Sequence, residues 1–311
     1  MQKSQMQSVL ALMVTAFIWG AAFVAQSTGG DMLGPFTFSC LRFSVGALAL
    51  LPVIKLFDRI GITAGKPKTR QERKDLWKCG ICCGFFLSMV SLSQQLGLYY
   101  GTPAGKAGFL SACYIVIVPI LGLFLKRTCG WNVWAAVAIT LAGLYLLCIH
   151  GDFSVQTSDL LVLCSSLMSA FQLMTVDHYA GRVDVARMPL IQFVTAACIA
   201  FFPMFFSDMS GNVSGILRCM ETLAKPQALG SILYAGVLSG SVAYTLQNIG
   251  QRHVHPAVAS LILSLESVFA VLAGWVVLGQ SLSLRELAGC GLVFAAIILA
   301  QIPMKKKERL S

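Results

Sequence analysis

The sequence predicts an all-α integral membrane protein, ten transmembrane helices arranged as two inverted repeats of five. Three observations predict it. Of the 311 residues, 57% are hydrophobic and 12% charged, and the mean hydropathy is +0.76, whereas soluble domains carry about 25% charged residues. Apolar runs of roughly 20 residues, long enough to cross about 30 Å of hydrocarbon as a helix, recur from end to end. The chain also matches itself when slid by about half its length. Backbone groups in lipid must be paired within the protein, so spans are helices or strands of a closed barrel, and barrel strands of about 10 alternating residues do not fit these runs.

Taken in order, the first run, 8–26, follows Lys3 and has the start of a signal peptide. It is long for one, however, and its best cleavage point, after Ala25, has bulky Phe23 where a small residue is wanted, so it reads as a retained helix. The second run, 34–56, has Pro35 near its start and leads into the most charged connection of the chain. The third, 76–97, carries the G-x-x-x-G pair Gly80/Gly84, which lets a neighbouring helix approach closely. The fourth, 101–125, and fifth, 131–149, complete a first unit, 1–150. The sixth run is 158–178; the seventh, 188–206, again has a proline, Pro189, near its start; the eighth, 228–250, carries a second G-x-x-x-G pair, Gly236/Gly240. The ninth, 255–278, and tenth, 284–302, close a second unit, 151–311. No length is left for a soluble domain.

Charge sets the orientation. With both termini in the cytoplasm, 18 of the 23 Lys and Arg fall on the cytoplasmic side, eight of them between Lys55 and Lys78. Lys106, Arg218, Lys225 and Arg285 fall outside and Arg42 falls within a span. The positive-inside rule therefore predicts cytoplasmic termini, a cytoplasmic 57–75 loop, an external 150–158 segment and a multi-pass protein of the cell membrane. Basic loops beside an anionic inner leaflet account for the net charge of +10 without nucleic acid.

Most of the eleven cysteines sit inside apolar runs, where small polarizable side chains pack. Cys79 and Cys82 form a lone C-x-x-C with no second pair or nearby histidine, so no metal and no cofactor is expected. The four histidines, His150, His178, His253 and His255, lie at span ends. No H-E-x-x-H, G-x-S-x-G or G-x-x-x-x-G-K-[ST] occurs, which argues against an intramembrane hydrolase or a single-chain ATP-driven pump, and no enzyme is expected.

A shift of 153 places Ser88 on Ser241, Gln94 on Gln247, Gly97 on Gly250, Pro103 on Pro256, Ala104 on Ala257, Leu110 on Leu263 and Ser111 on Ser264 without a gap; a shift of 154 places Pro35 on Pro189. Five spans per copy is odd, so the second copy starts on the opposite face of the membrane. Inverted repeats of this kind are typical of secondary carriers, with the solute near the midplane where the halves meet.

The residues "FIWGAAFV" (17–24), "PFTFSCLRF" (35–43), "AGKAGFLSACYIVIVPIL" (104–121) and the long segment 234–283 resemble the drug/metabolite transporter superfamily, EamA type, bacterial rather than plastid or Golgi in kind. The resemblance covers nearly the whole chain as two copies of the family domain. It departs at Ser267, where the family often has proline, and at Gln280, where it often has glutamate. It implies transport of small organic solutes, commonly amino acids and related metabolites and often outward. The expected partners are a small-molecule substrate and the bilayer, for a monomer or homodimer.

One formal charge, Glu266, interrupts the apolar stretch "LILSLESVFAVLAGW" of the ninth span. Eleven residues at about 1.5 Å each put it near the bilayer centre, where a carboxylate costs at least about 2.5–3.5 kcal/mol. It is therefore expected to face a polar cavity or a partner, as a substrate-linked or proton-linked carboxyl or as a tie to a neighbouring helix. Lys106 is the candidate counter-charge; it lies near the outer end of its span and can equally snorkel to the headgroups. The mates of these two charges in the other repeat are the uncharged Cys113 and Ala259, so a shared scaffold role fits neither. Gln94 and Gln247 offer neutral donors and acceptors to a cavity or to a helix contact, and Trp19 and Tyr114 offer walls for a solute or core packing. Arg42 reads as a structural tie. A carrier of small organic solutes is the leading expectation, with a channel or a small-molecule receptor as the alternative.

Overall fold

The computed structural model describes residues 2–60, 67–100, 102, 104–126, 129–149, 156–184, 186–278 and 283–302. Ten of its helical stretches are long and apolar enough to cross a membrane. The spanning helices are α1 Gln2–Leu33, α2 Pro35–Ile60, α3 Arg70–Tyr99, α4 in two pieces Ala104–Ala112 and Tyr114–Phe124, and α5 Trp131–Cys148. They continue as α6 Thr157–Tyr179, α7 Arg187–Pro203 extended by a wide turn Met204–Asp208, and α8 Pro226–Leu233, widened over Tyr234–Val242 and closed by Ala243–Gly250. The last two are α9, in pieces Pro256–Leu263 and Leu265–Leu278, and α10 Leu284–Gln301. No strand occurs among the described residues.

The differences from expectation have local causes. α3 begins six residues early because Thr69 and Glu72 cap it: the Glu72 N–H donates to Thr69 Oγ1 at 3.1 Å and the Lys68 N–H donates to Glu72 Oε2 at 2.8 Å. The fourth and ninth spans, expected as continuous, are broken at Cys113 and Ser264. At the first break the Cys113 N–H reaches back only three residues, to the Leu110 carbonyl. At the second, Ser260 and Ser264 donate their hydroxyls to carbonyls three residues back, at 2.9 and 2.7 Å, competing with the helical ladder. A short helix, Val213–Leu223, escaped the apolar-run reading because it is too short to span; Asn212 caps it by accepting from the Gly215 N–H at 2.8 Å.

The outside of the bundle is apolar. Leu48, Phe124, Phe202 and Ile298 are each more than 60% exposed, as lipid-facing side chains are, while the polar Gln172, Gln192, Gln247, Asn248 and Gln251 are buried. The principal pairings are α1 with α8 and α9, α2 with α8, α6 with α3 and α4, α7 with α3, and α2·α7, α4·α9 and α5·α10. This set is unchanged when each helix is exchanged for the one five places away. The repeat residues themselves make matching contacts: a Cβ on Gly97 would lie 3.1 Å from the Ser158 carbonyl of α6, and one on Gly250 would lie 2.9 Å from the Ser8 carbonyl of α1.

Small residues permit this closeness. On α3, a Cβ at Gly80 would meet Ile191 Cβ at 2.6 Å and one at Gly84 would meet the Gln192 carbonyl at 2.6 Å. α5 and α10 touch backbone to backbone through Gly143 and Gly289, where an added Cβ would sit 2.8 and 2.6 Å from the facing carbonyl. The α2·α7 pair is tied at both ends. At one end Asp208 accepts from the Thr37 N–H at 2.7 Å, beside Gly34 at φ +86°; at the other Arg187 pairs with Asp58 at 2.6 Å and with Asp184 at 3.3 Å. Each tie joins one half of the chain to the other. Met1, residues 303–311 and the 150–155 stretch, on which the orientation expectation partly rests, lie outside the described residues.

Candidate functional site

A cavity of about 150 Å³ opens where the halves meet, lined by eight of the ten spanning helices; α5 and α10 contribute nothing to it. Five of the six residues singled out from the sequence line it: Trp19 from α1, Gln94 from α3, Tyr114 from α4, Gln247 from α8 and Glu266 from α9. The side chain of Lys106 lies outside the described residues.

Backbone interruptions aim these groups. Tyr114 opens the second piece of α4, and Glu266 stands in the first turn of the second piece of α9. A carboxylate suits that place, because the free N–H groups of a helix start carry partial positive charge. α1 comes close at this point: a Cβ on Gly20 would lie 2.7 Å from the Glu266 carbonyl, and its neighbour Trp19 enters the cavity. The indole N–H of Trp19 donates to the Ser239 carbonyl at 3.0 Å, inside the widened stretch of α8. Wide turns of this kind displace carbonyls from the regular ladder.

The cation that shares the cavity lining with Glu266 among the described residues is Arg42 of α2, which lies within electrostatic reach of Glu266 and Tyr244. Its guanidinium stands 4.7 Å from the Phe43 ring centre. Arg42 was read from the sequence as a structural tie, and its place on the cavity is the main addition of the structure. The signal that could have found it was present: at the shift of 154 its mate is Ala196, so Arg42 is as repeat-specific as Glu266.

The aromatic wall was also only half legible. Trp19 lies 4.9 Å from Tyr244, Tyr244 lies 5.2 Å from Phe193 edge-on, and Phe193 stacks on Phe43 at 6.0 Å. Gln172 of α6 also lines the cavity. The site thus combines one acid, one base, an aromatic wall and several carboxamides and hydroxyls. Such a set offers charge pairing, hydrogen bonds and an apolar wall within one cavity; among the described residues no three metal-ligating side chains cluster.

Comparison with known proteins places this architecture. The description "EamA-like transporter family" matches residues 6–149 and again residues 156–301. The chain belongs to the EamA-like transporter family. It is a membrane transporter, not an enzyme. The chain is similar to an uncharacterized transporter of Archaeoglobus fulgidus, 28% identical over 94% of this chain and 85% of that protein. It is also similar to a probable terminal-alkyne amino-acid exporter of Streptantibioticus cattleyicolor, 24% identical over 94% and 93%. A third relative is an uncharacterized inner membrane transporter of Escherichia coli K12, 22% identical over 94% and 90%. A solved crystal structure shares the fold at a TM-score of 0.73, with 16% identity over 95% of this chain and 98% of the other. The transporter identity fits the lipid-facing exterior and implies a small-molecule substrate.

Proposed function

We propose that this EamA-like transporter is an alternating-access secondary carrier that exports small organic metabolites, amino acids or related compounds, across the cytoplasmic membrane. The observation that carries this reading is the cavity itself: it lies between the halves, receives side chains from both, and holds Arg42 and Glu266 within electrostatic reach of each other. Two repeats, 1–150 and 151–311, inverted in the membrane, rock about this site with both termini in the cytoplasm. The repeat-exchangeable helix pairing supports the inversion, and the positive-inside count supports the orientation. The name of the Streptantibioticus relative supports an amino-acid cargo and outward transport.

Within the site, Glu266 is the substrate-linked or proton-linked group and Arg42 its counter-charge. A cargo carrying both an anionic and a cationic group replaces each with the other's partner and leaves no charge unpaired in the low-dielectric interior. Gln94, Gln247, Trp19 and Tyr114 supply hydrogen bonds and walls, with Lys106 of α4 a further candidate contact. The test is flux of labelled amino acids through purified protein in liposomes. A carrier saturates and shows exchange stimulated by cargo on the far side; unsaturable flux without exchange would mark a channel and overturn the reading.

A further inference from the structure

The two copies of one repeated element stand in different arrangements. Gln94 and Ser111, on α3 and α4, are the repeat mates of Gln247 and Ser264, on α8 and α9, and all four line the cavity. In the first half the pair is closed: Gln94 Nε2 donates to Ser111 Oγ at 3.0 Å. In the second half it is open. The Ser264 hydroxyl turns back onto the Leu261 carbonyl at 2.7 Å, and Gln247 Oε1, on a side chain 4% exposed, has no hydrogen-bond partner. A buried acceptor left unpaired is unfavourable. A helix tie serving both halves alike would be closed in both.

Resting on the carrier reading above, we propose that Gln247 and Gln94 are alternating solute contacts. The open carboxamide, that of Gln247 in this arrangement, accepts a hydrogen bond from an N–H or O–H donor on the cargo, while the closed one is held by its serine. The roles exchange when the carrier faces the other side. Inverted repeats make this exchange natural, because rocking one half against the other about a site between them presents that site to the two faces of the membrane in turn, with equivalent elements of the two halves in swapped roles. A cargo lacking the donor leaves a buried oxygen unsatisfied in either orientation, so the device selects for donors at both faces of the membrane.

Two sets of variants of the full chain test this. In protein whose eleven native cysteines are replaced, the pairs Gln94→Cys with Ser111→Cys and Gln247→Cys with Ser264→Cys are treated in liposomes with a short bifunctional methanethiosulfonate, whose reach replaces the length of the glutamine side chain that a direct disulfide would lack. The first pair is expected to bridge quickly and the second more slowly, as the opposite-facing form is visited, and either bridge is expected to stop exchange of labelled L-alanine until it is reduced. A second pair that never bridges, or a bridged carrier that still exchanges, would overturn the proposal. In otherwise native protein, Gln247→Leu should hold or raise Tm while weakening L-alanine affinity about tenfold, whereas Gln94→Leu should lower Tm. Equal losses of Tm in both would mean two structural ties, and this comparison decides if a double-cysteine protein fails to fold. Wild-type liposomes that exchange no L-alanine would count against the amino-acid cargo, while the bridging rates and Tm values still judge the switch.

Discussion

At the scale of single residues, the proposed function turns on Arg42 and Glu266. Each is costly alone in a low-dielectric interior and each relieves the other. Glu266→Gln keeps size and most hydrogen-bonding capacity, so it is expected to fold, whereas Arg42→Met leaves the carboxylate facing the cavity without its base. Denaturation of the two single variants and the double variant should therefore be non-additive, the double being more stable than the sum of the singles predicts by about 0.5–3 kcal/mol. Strict additivity would mean that the two charges do not sense each other. The acid was legible in the sequence because nothing else charged interrupts its run; the base was legible only as a charge absent from its repeat mate Ala196, which gives no direction for its side chain. Only the folded α2, pressed against α8 where a Cβ on Gly236 would meet the Arg42 carbonyl at 3.0 Å, shows which way it serves.

At the scale of elements, glycine contacts and broken helices matter most. Gly84→Leu drives a side chain into the Gln192 carbonyl and Thr195 of α7, and is expected to cost about 1–3 kcal/mol, read as a lower Tm. Gly291→Ala, which meets nothing within 4 Å inside α10, should hold or raise Tm. The G-x-x-x-G spacing made the α3 and α8 contacts legible beforehand. The breaks at Cys113 and Ser264 were hidden, since hydropathy does not record where a serine hydroxyl takes a carbonyl from its own helix. The ties at the ends of α2 and α7 were hidden as well, because each joins residues more than 120 positions apart. Arg187→Ala removes the tie to Asp58 and is expected to bias the carrier toward opening at that end. In a cysteine-free background, labelling of Ser239→Cys from the face assigned to the cytoplasm should then be faster than in the parent; an unchanged rate would show that the ion pair is no latch.

At the scale of the whole molecule, composition, run length and the self-match of the chain carried the fold class, since lipid restricts spanning structure to few solutions. The side of the membrane is a separate matter, decided by loop charge. With the termini in the cytoplasm, Thr69→Cys in a background cleared of reactive cysteines should resist an impermeant thiol reagent in intact cells and react after lysis; strong labelling in intact cells would reverse the orientation. The repeat also set the place of the cavity, between helices paired as α1 with α8 and α6 with α3. The identity of the cargo was not legible in the same way, because it depends on a few side chains at one point and not on any pattern along the chain.

The proposed role of Glu266, which shares the cavity between the halves with Arg42, is to couple solute movement to its own charge. The most direct measurement is transport by purified wild-type and Glu266→Gln protein in liposomes, with and without an imposed pH gradient, beside a Tm for each. If Glu266 carries the coupling proton, the variant is predicted to keep its Tm and its counterflow exchange while losing accumulation driven by the gradient; if it contacts a cationic group on the cargo, both modes should fail together with loss of affinity. Unchanged transport in both modes by a stable variant would contradict the account and return Glu266 to a purely structural role.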